Sequence, residues 1–300
     1  MVLETGARGQ RSGVGSTAPQ TPHPRHPTPQ RGARMLLLYS VLGALAVFTA
    51  FPFLWTLLVS LRTRGPIFSI PPDLSLAGLS LANYAGVWKT LPLPRYALNS
   101  LYIAAMGVAL TLAICSLAAY PLARMRFWGK NVVFYAILGT LILPEHIGLI
   151  VNFITMMRLR LVDTYASVYL PSLASVFGIF LLRQAYLSIP QELEDAARID
   201  GAGELVIWWR IMLPLTVPAL ATLAIFQFVA FWNSFLWPII ILKTPDKYPL
   251  AAGLLYLRGL FAYNTRYIAA GTVIATLPVI IAFLFTQRYF MRGLTAGAIR

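Results

Sequence analysis

The sequence predicts an all-α, polytopic integral membrane protein, and three observations carry that prediction. Only 11% of its 300 residues are charged, against roughly 25% in an ordinary soluble domain. Hydrophobic residues make up 58%, and the mean hydropathy is +0.70. Six apolar segments each reach the roughly 20 residues that cross about 30 Å of hydrocarbon. They run at about Leu36–Leu61, Leu98–Leu122, Val132–Met157, Tyr165–Leu187, Leu215–Leu242 and Ile268–Tyr289.

Residues 1–34 precede the first segment and are rich in Gly, Ser, Thr, Pro and Arg, with Pro22, Pro24, Pro27 and Pro29 closely spaced. Such a composition buries too little apolar surface to order itself, so a disordered basic tail is expected there. The apolar run from Met35 is too long for a signal peptide and lacks a small-residue cleavage site. His23 and His26 alternate with Pro24 and Arg25 and do not read as a metal site. Residues 35–300 are expected to form one transmembrane domain. Within or near its spans, Pro52, Pro144, Pro171, Pro238 and Pro278 free backbone carbonyls that a neighbouring helix or cavity water must satisfy. The single cysteine, Cys115, sits in an apolar run and excludes a disulfide framework or a cysteine metal site.

The formal charge of +14 is scattered through loops and the tail rather than gathered with aromatics, so no nucleic-acid partner is expected. It fits the excess of Lys and Arg on cytoplasmic loops. With the tail inside, Arg124, Arg126, Lys130, Arg183, Arg198, Arg210, Arg288, Arg292 and Arg300 are cytoplasmic. The outside then holds Arg62, Arg64, Lys89, Arg95, Arg158, Arg160, Lys243, Lys247, Arg258 and Arg266, a modest bias. An even span count puts both termini in the cytoplasm of a plasma (inner) membrane protein. The outer loops, Arg62–Arg95 and Lys243–Arg266, are long and carry aromatics suited to a docking partner or to interfacial anchoring.

One polar stretch, residues 188–214, interrupts this apolar chain. Pro190 suits a first helical turn, and Glu192, Glu194 and Asp195 complement the positive end of a helix dipole. Leu193, Ala196 and Ala197 fall at i, i+3 and i+4, giving a short helix a small apolar face. Gly201 after Asp200 supplies the helix end. A second short helix is expected over about Gly203–Met212, reaching Pro214 where the fifth span begins. The pattern suits either a knob for a partner's groove or an amphipathic hairpin anchored on the membrane by Trp208 and Trp209.

Asp195-Ala196-Ala197, Gly201 and Ile211-x-Leu213-Pro214 stand in the register of the EAA loop, and the segment resembles that of binding-protein-dependent ABC importer permeases. One residue departs: Asp195 replaces the usual glutamate, with Glu194 beside it. Asn83-Tyr84, Leu98-Asn99-Ser100-Leu101, Ala118-Ala119-Tyr120 with Arg124 and Phe127, Phe180-Leu181-Leu182-Arg183-Gln184 and Trp232–Pro238 are similar to the carbohydrate-type branch. The resemblance implies a six-helix permease moving a sugar or small polyol inward by alternating access. It also implies a second permease subunit, two ATPase subunits and an extracytoplasmic solute-binding protein as partners, besides membrane lipid. In such complexes the loop docks in an ATPase groove, which implies ATPase-coupling roles for Glu194, Asp195, Ala196, Ala197, Asp200, Gly201, Ile211, Leu213 and Pro214.

No G-x-x-x-x-G-K-[ST] phosphate loop occurs, since Gly129-Lys130 lacks both the upstream glycine and the following hydroxyl. ATP hydrolysis is therefore expected in a separate subunit, and neither a cofactor, a metal nor a catalytic constellation is expected here. Glu145 and His146 are the conspicuous ionisable pair in an apolar segment and would serve the alternative reading, an ion-gradient-driven secondary transporter. Gln227, Trp232, Asn233 and Trp237 are the substrate-pathway candidates, because amides suit sugar hydroxyls and aromatic faces suit sugar rings. Their other reading is hydrogen bonding between helices.

Overall fold

The computed structural model describes residues 29–67, 78–255, 257 and 264–296, with the side chains of 29–33, 145–146 and 286–296 outside the description. Most of the expected tail, with Pro22, His23, Pro24, His26 and Pro27, thus lies outside the described residues, as do the side chains of Glu145 and His146. The chain divides into two compact units, residues 1–52 and 53–300. In the first unit the described residues are helical, because α1 (Pro29–Leu61) begins upstream of the expected boundary at 34/35.

Among the described residues the regular structure of the second unit is helical, and one isolated bridge joins Arg62 with Leu79. Its elements after α1 are α2 (Ala82–Thr90), α3 (Leu93–Arg124), α4 (Lys130–Gly139), α5 (Leu149–Arg158), α6 (Tyr165–Tyr169), α7 (Val176–Leu187) and α8 (Glu192–Ile199). They continue with α9 (Glu204–Leu215), α10 (Val217–Asn233), α11 (Leu236–Ile241), α12 (Leu250–Gly253) and α13 (Thr265–Ala296). The spine is α3, which packs on α7 and α10, while α10 packs in turn on α13.

Among the described residues, three helices are long and apolar enough to cross a membrane in one piece: Arg34–Leu61, Leu93–Arg124 and Thr265–Phe285. The other three predicted segments are broken. The third runs through α4, two 3₁₀ turns on either side of Pro144, and α5. The fourth bends by 54° between Tyr165–Ser172 and Val176–Leu187. The fifth begins at Val217 rather than Leu215, after a 79° bend from α9, and breaks again at Ser234 and Phe235 before α11. The bend falls at Thr216, two residues past Pro214, which offers no N–H to the carbonyl four residues back. The turn before it widens into a π-helix over Trp208–Met212, so the helix continues past Pro214 to end at Thr216, whose hydroxyl donates to Met212 O at 2.9 Å.

Apolar residues in lipid gain nothing by leaving one hydrocarbon for another, so these helices are held by close packing and interhelical hydrogen bonds. Gly107 lets α10 approach α3 so closely that a Cβ there would lie 2.6 Å from the Phe231 ring. Ser116 and the Tyr186 hydroxyl share a hydrogen bond of 2.6 Å between α3 and α7, and Trp232 Nε1 donates to Ala275 O at 2.9 Å between α10 and α13. Each such bond is worth about 0.6 kcal/mol in a bilayer.

Candidate functional site

At one end of α3 the polar loop folds back on the bundle. Helix α8 ends where Gly201 takes φ +82°, a left-handed conformation a side chain disfavours, and Ala202 N closes the turn on Ala197 O at 2.9 Å. One acid of the loop turns fully inward, while Glu192, Asp195, Asp200 and Arg210 stay exposed. Glu194 is 1% exposed and pairs with Arg124 Nε of α3 at 2.8 Å and with Arg198 at 3.1 Å. Arg198 also holds Asp195 at 2.8 Å and Glu204 at 2.9 Å, and the Tyr120 hydroxyl donates to Glu204. Arg124 further donates to the carbonyls of Tyr186 and Ile189. Hydrogen bonds from Arg198 and then Tyr120 hold the Glu204 carboxyl below its usual range, and Glu204 raises the Arg198 guanidinium in return.

Part of the apolar surface of the same loop turns outward: Leu193 and Ala196 are exposed, Ile199 is 86% exposed and Leu205 72%, while Ile207 and Met212 are fully buried. Of the residues predicted to couple, Asp195, Ala196, Asp200, Gly201 and Pro214 are exposed, and Ala197 and Leu213 half-buried. Ile211 packs against the core formed by Cys115, Leu182, Tyr186 and Met212. Glu194 is buried, so its carboxylate serves the chain's own arginines and not an incoming surface. Trp208 does not anchor at the interface; its indole N–H donates to Ser116 Oγ at 2.9 Å inside the bundle, while Trp209 is exposed.

The other end of α3 carries a second polar knot. Asp163 has φ +63°, a conformation that Asp and Asn tolerate better than other side chains. Its carboxylate accepts from Lys243 N at 2.9 Å, Thr244 N at 3.0 Å, the Thr244 hydroxyl at 2.7 Å and Lys247 Nζ at 2.8 Å. Asn99 Nδ2 donates to Asp246 O and Tyr248 O, and the Tyr165 hydroxyl donates to Asn99 Oδ1. The loops after α5 and after α11 are thereby tied to α3.

Burial pushes the Asp163 carboxyl up, but hydrogen bonds from Lys247, the Thr244 side chain and the Thr244 and Lys243 amides outweigh it and hold the group well below the carboxylate range. A depressed folded value means the stabilisation is present above the unfolded pKa, about 3.9, and is lost only as pH falls through the folded value. Thermal unfolding of the purified protein is therefore expected to show no loss from this knot between pH 8 and 5. Asp163→Asn keeps the backbone preference and removes the charge, and it is expected to cost about 1 kcal/mol because Lys247 is about one-third exposed. An unchanged midpoint in that variant would show that the ion pair contributes nothing.

Between the two ends, the three broken segments meet at one cavity of about 620 Å³. Leu141 and Asn152 come from the third, Ser172, Ser175 and Phe177 from the fourth, and Asn233, Ser234 and Trp237 from the fifth. Irregular backbone survives at membrane depth only where protein buries it or a cavity hydrates it. Part of the freed backbone is met by Cys115, whose thiol donates to Ser175 O at 3.4 Å, and by Ser175 Oγ, which accepts from Gly178 N at 3.1 Å. Two of the four substrate-pathway candidates, Asn233 and Trp237, line the cavity. Gln227 lies beside it, donating to Ser175 Oγ at 3.0 Å. Trp232 does not reach it; it is 4% exposed and packs toward α13. Asn152, Ser172, Ser175 and Ser234 also line it and are not among the substrate-pathway candidates, although Pro144 and Pro171 mark the breaks in the third and fourth segments.

Among the described residues, a helical fold with membrane-length helices and a cavity where the broken segments meet is the architecture of a membrane transport protein. Residues 111–295 match the family of binding-protein-dependent transport system inner membrane components. The arabinooligosaccharides transport system permease protein AraQ of Bacillus subtilis (strain 168) is 34% identical over 279 residues, covering 92% of this chain and 99% of that one. The lactose transport system permease protein LacG of Rhizobium radiobacter is 32% identical over 259 residues, covering 86% and 94%. A chain from a bacterial ABC transporter involved in the import of the acidic polysaccharide alginate superposes with a TM-score of 0.73 at 25% identity, covering 88% of this chain and 99% of that one. The chain belongs to the binding-protein-dependent transport system inner membrane component family and is an ABC importer permease, a multi-pass protein of the inner membrane.

Proposed function

We propose that this permease carries a sugar or related small polyol into the cytoplasm by alternating access, and that the loop of residues 188–214 receives the stroke of an ATPase subunit. The observation that carries the coupling role is the face presented by the loop helix: Glu194 and Asp195 are paired with Arg124 and Arg198, and Leu193, Ala196 and Ile199 are left facing out. A ligand shifts a conformational equilibrium only through its different affinity for the two states. An ATPase dimer whose closure changes its grip on that face would bias the bundle through the Arg124 pair and α3. The solute class rests on the amide, hydroxyl and aromatic lining of the cavity, and on the saccharide names of its relatives. The partners are a second permease, two ATPase subunits and an extracytoplasmic solute-binding protein. Loop 188–214 and both termini face the cytoplasm, and the Asp163 knot faces outward.

Reconstitution in proteoliposomes tests this reading. Uptake of sugar delivered by the binding protein is expected only with the ATPase subunits and Mg-ATP present. Accumulation by the permease alone under a proton or sodium gradient would overturn it.

A further inference from the structure

The turn that joins α3 to α4 is unlike the other described loops. Over Met125-Arg126-Phe127-Trp128-Gly129-Lys130, Trp128 is 99% exposed and Met125 and Phe127 are exposed as well. Gly129 takes φ +80°, and Lys130 Nζ reaches back to Ala123 O at 2.9 Å and Met125 O at 3.0 Å, so the turn has a defined shape. It bounds an open pocket of about 640 Å³ lined by Arg126, Phe127, Trp128, Lys130, Asn131 and Val132.

Among the described residues, no acid compensates the charge that lines this pocket. The sequence holds no Asp or Glu between Asp73 and Glu145. Arg124 is committed to Glu194, and Arg183 donates to Leu122 O and lies 4.0 Å over the Phe134 ring. Among the described residues, Arg126, Lys130 and Arg183 have no acidic partner. Burial, then Arg183, Arg124 and Arg126, push the Lys130 ammonium below its usual range, so the group sits in a field that calls for an anion.

The surroundings specify which anion. Immediately above the pocket, α4 shows Val132 at 72% exposure and Tyr135 at 67%, an apolar face continuous with the pocket rim. Exposed Trp beside Arg and Lys at the end of an apolar helix is the composition of the water–hydrocarbon boundary. Basic pockets between helix ends at that boundary bind lipid headgroups. A soluble partner would satisfy the charge and leave the apolar face bare, whereas a phospholipid supplies a phosphate for the one and acyl chains for the other. We propose that this pocket is a binding site for an anionic phospholipid, its phosphate held by Arg126 and Lys130 and its glycerol and upper chains against Trp128 and Val132, on the same membrane face as loop 188–214.

Native mass spectrometry of the purified transporter with added phosphatidylglycerol or phosphatidylcholine tests the site. The wild type is expected to retain phosphatidylglycerol in preference, and Arg126→Gln with Trp128→Ala to weaken the tightest adduct by about fivefold or more, the effect of one basic residue at the membrane surface. Arg126→Gln alone, at an exposed position, separates lipid loss from misfolding, and Arg126→Lys is expected to keep the adduct. Inorganic phosphate is expected to leave thermal stability unchanged; stabilisation by it would mark a free-anion site and overturn the lipid assignment. Equal phosphatidylglycerol retention by the double variant would overturn it too, as would loss of the ATPase subunit with lipid binding intact, which would make the patch a protein-docking surface.

Discussion

Glu194→Ala is expected to loosen the whole loop, lowering stability by about 3–5 kcal/mol and abolishing uptake. Removing one partner of a buried ion pair leaves the other charge stranded, and that penalty, rather than the worth of the pair, sets the magnitude. Arg124 is 9% exposed and cannot swing into water to recover its solvation. Arg198 would lose one of its three carboxylates and keep Asp195 and Glu204, so the damage should centre on the α3 end. The thermal midpoint of the purified protein and protease cutting within residues 188–214 measure this. Arg124→Met with Glu194→Leu removes both charges and is expected to recover most of the lost stability, because an apolar pair of similar volume is often neutral in such a site. A Glu194→Ala protein with unchanged midpoint and unchanged uptake would show that the pair does not hold α8 in place.

Ala196→Trp is expected to do the reverse: leave the fold alone and cut uptake at least tenfold. The side chain at 196 is exposed, so substitution there should change stability by roughly 0.5 kcal/mol or less. An indole in the middle of the Leu193, Ala196 and Ile199 face would, however, fill any groove shaped for a methyl group. Gly201→Val is the companion variant. Nothing lies within 4 Å of a Cβ at 201, so no clash arises within this chain, but φ +82° costs a non-glycine residue about 1–2 kcal/mol. Membrane level by immunoblot, co-purification of the ATPase subunit and sugar uptake separate the effects. Wild-type uptake by Ala196→Trp would remove this face from the coupling surface.

Much of this architecture is legible in the residues. Each of the six apolar segments falls largely on helix, and the helix end at Gly201 is where the Asp-Gly pair places it. What escaped reading has identifiable causes. Hydropathy counts apolar side chains and is blind to the backbone, so segments three, four and five read as single spans although they break near Pro144, at Leu173 to Ser175 and at Ser234. Glu194 and Asp195 are adjacent acids with equal claims on a partner; only the position of Arg124 on another helix sends one inward and leaves the other out. Trp232 and Trp237 read alike as aromatic ligands, yet the break between them turns one toward α13 and the other into the cavity.

The sequence by itself determined the membrane class, the helical content and the charged loop with its turn, because these depend on composition and on neighbours within a few residues. Only the tertiary structure decided which charges are buried, which apolar residues face out and which helix breaks converge on one cavity. Those outcomes depend on groups such as Arg124 and Glu194, or Cys115 and Ser175, that are distant in the chain and meet only when the helices pack.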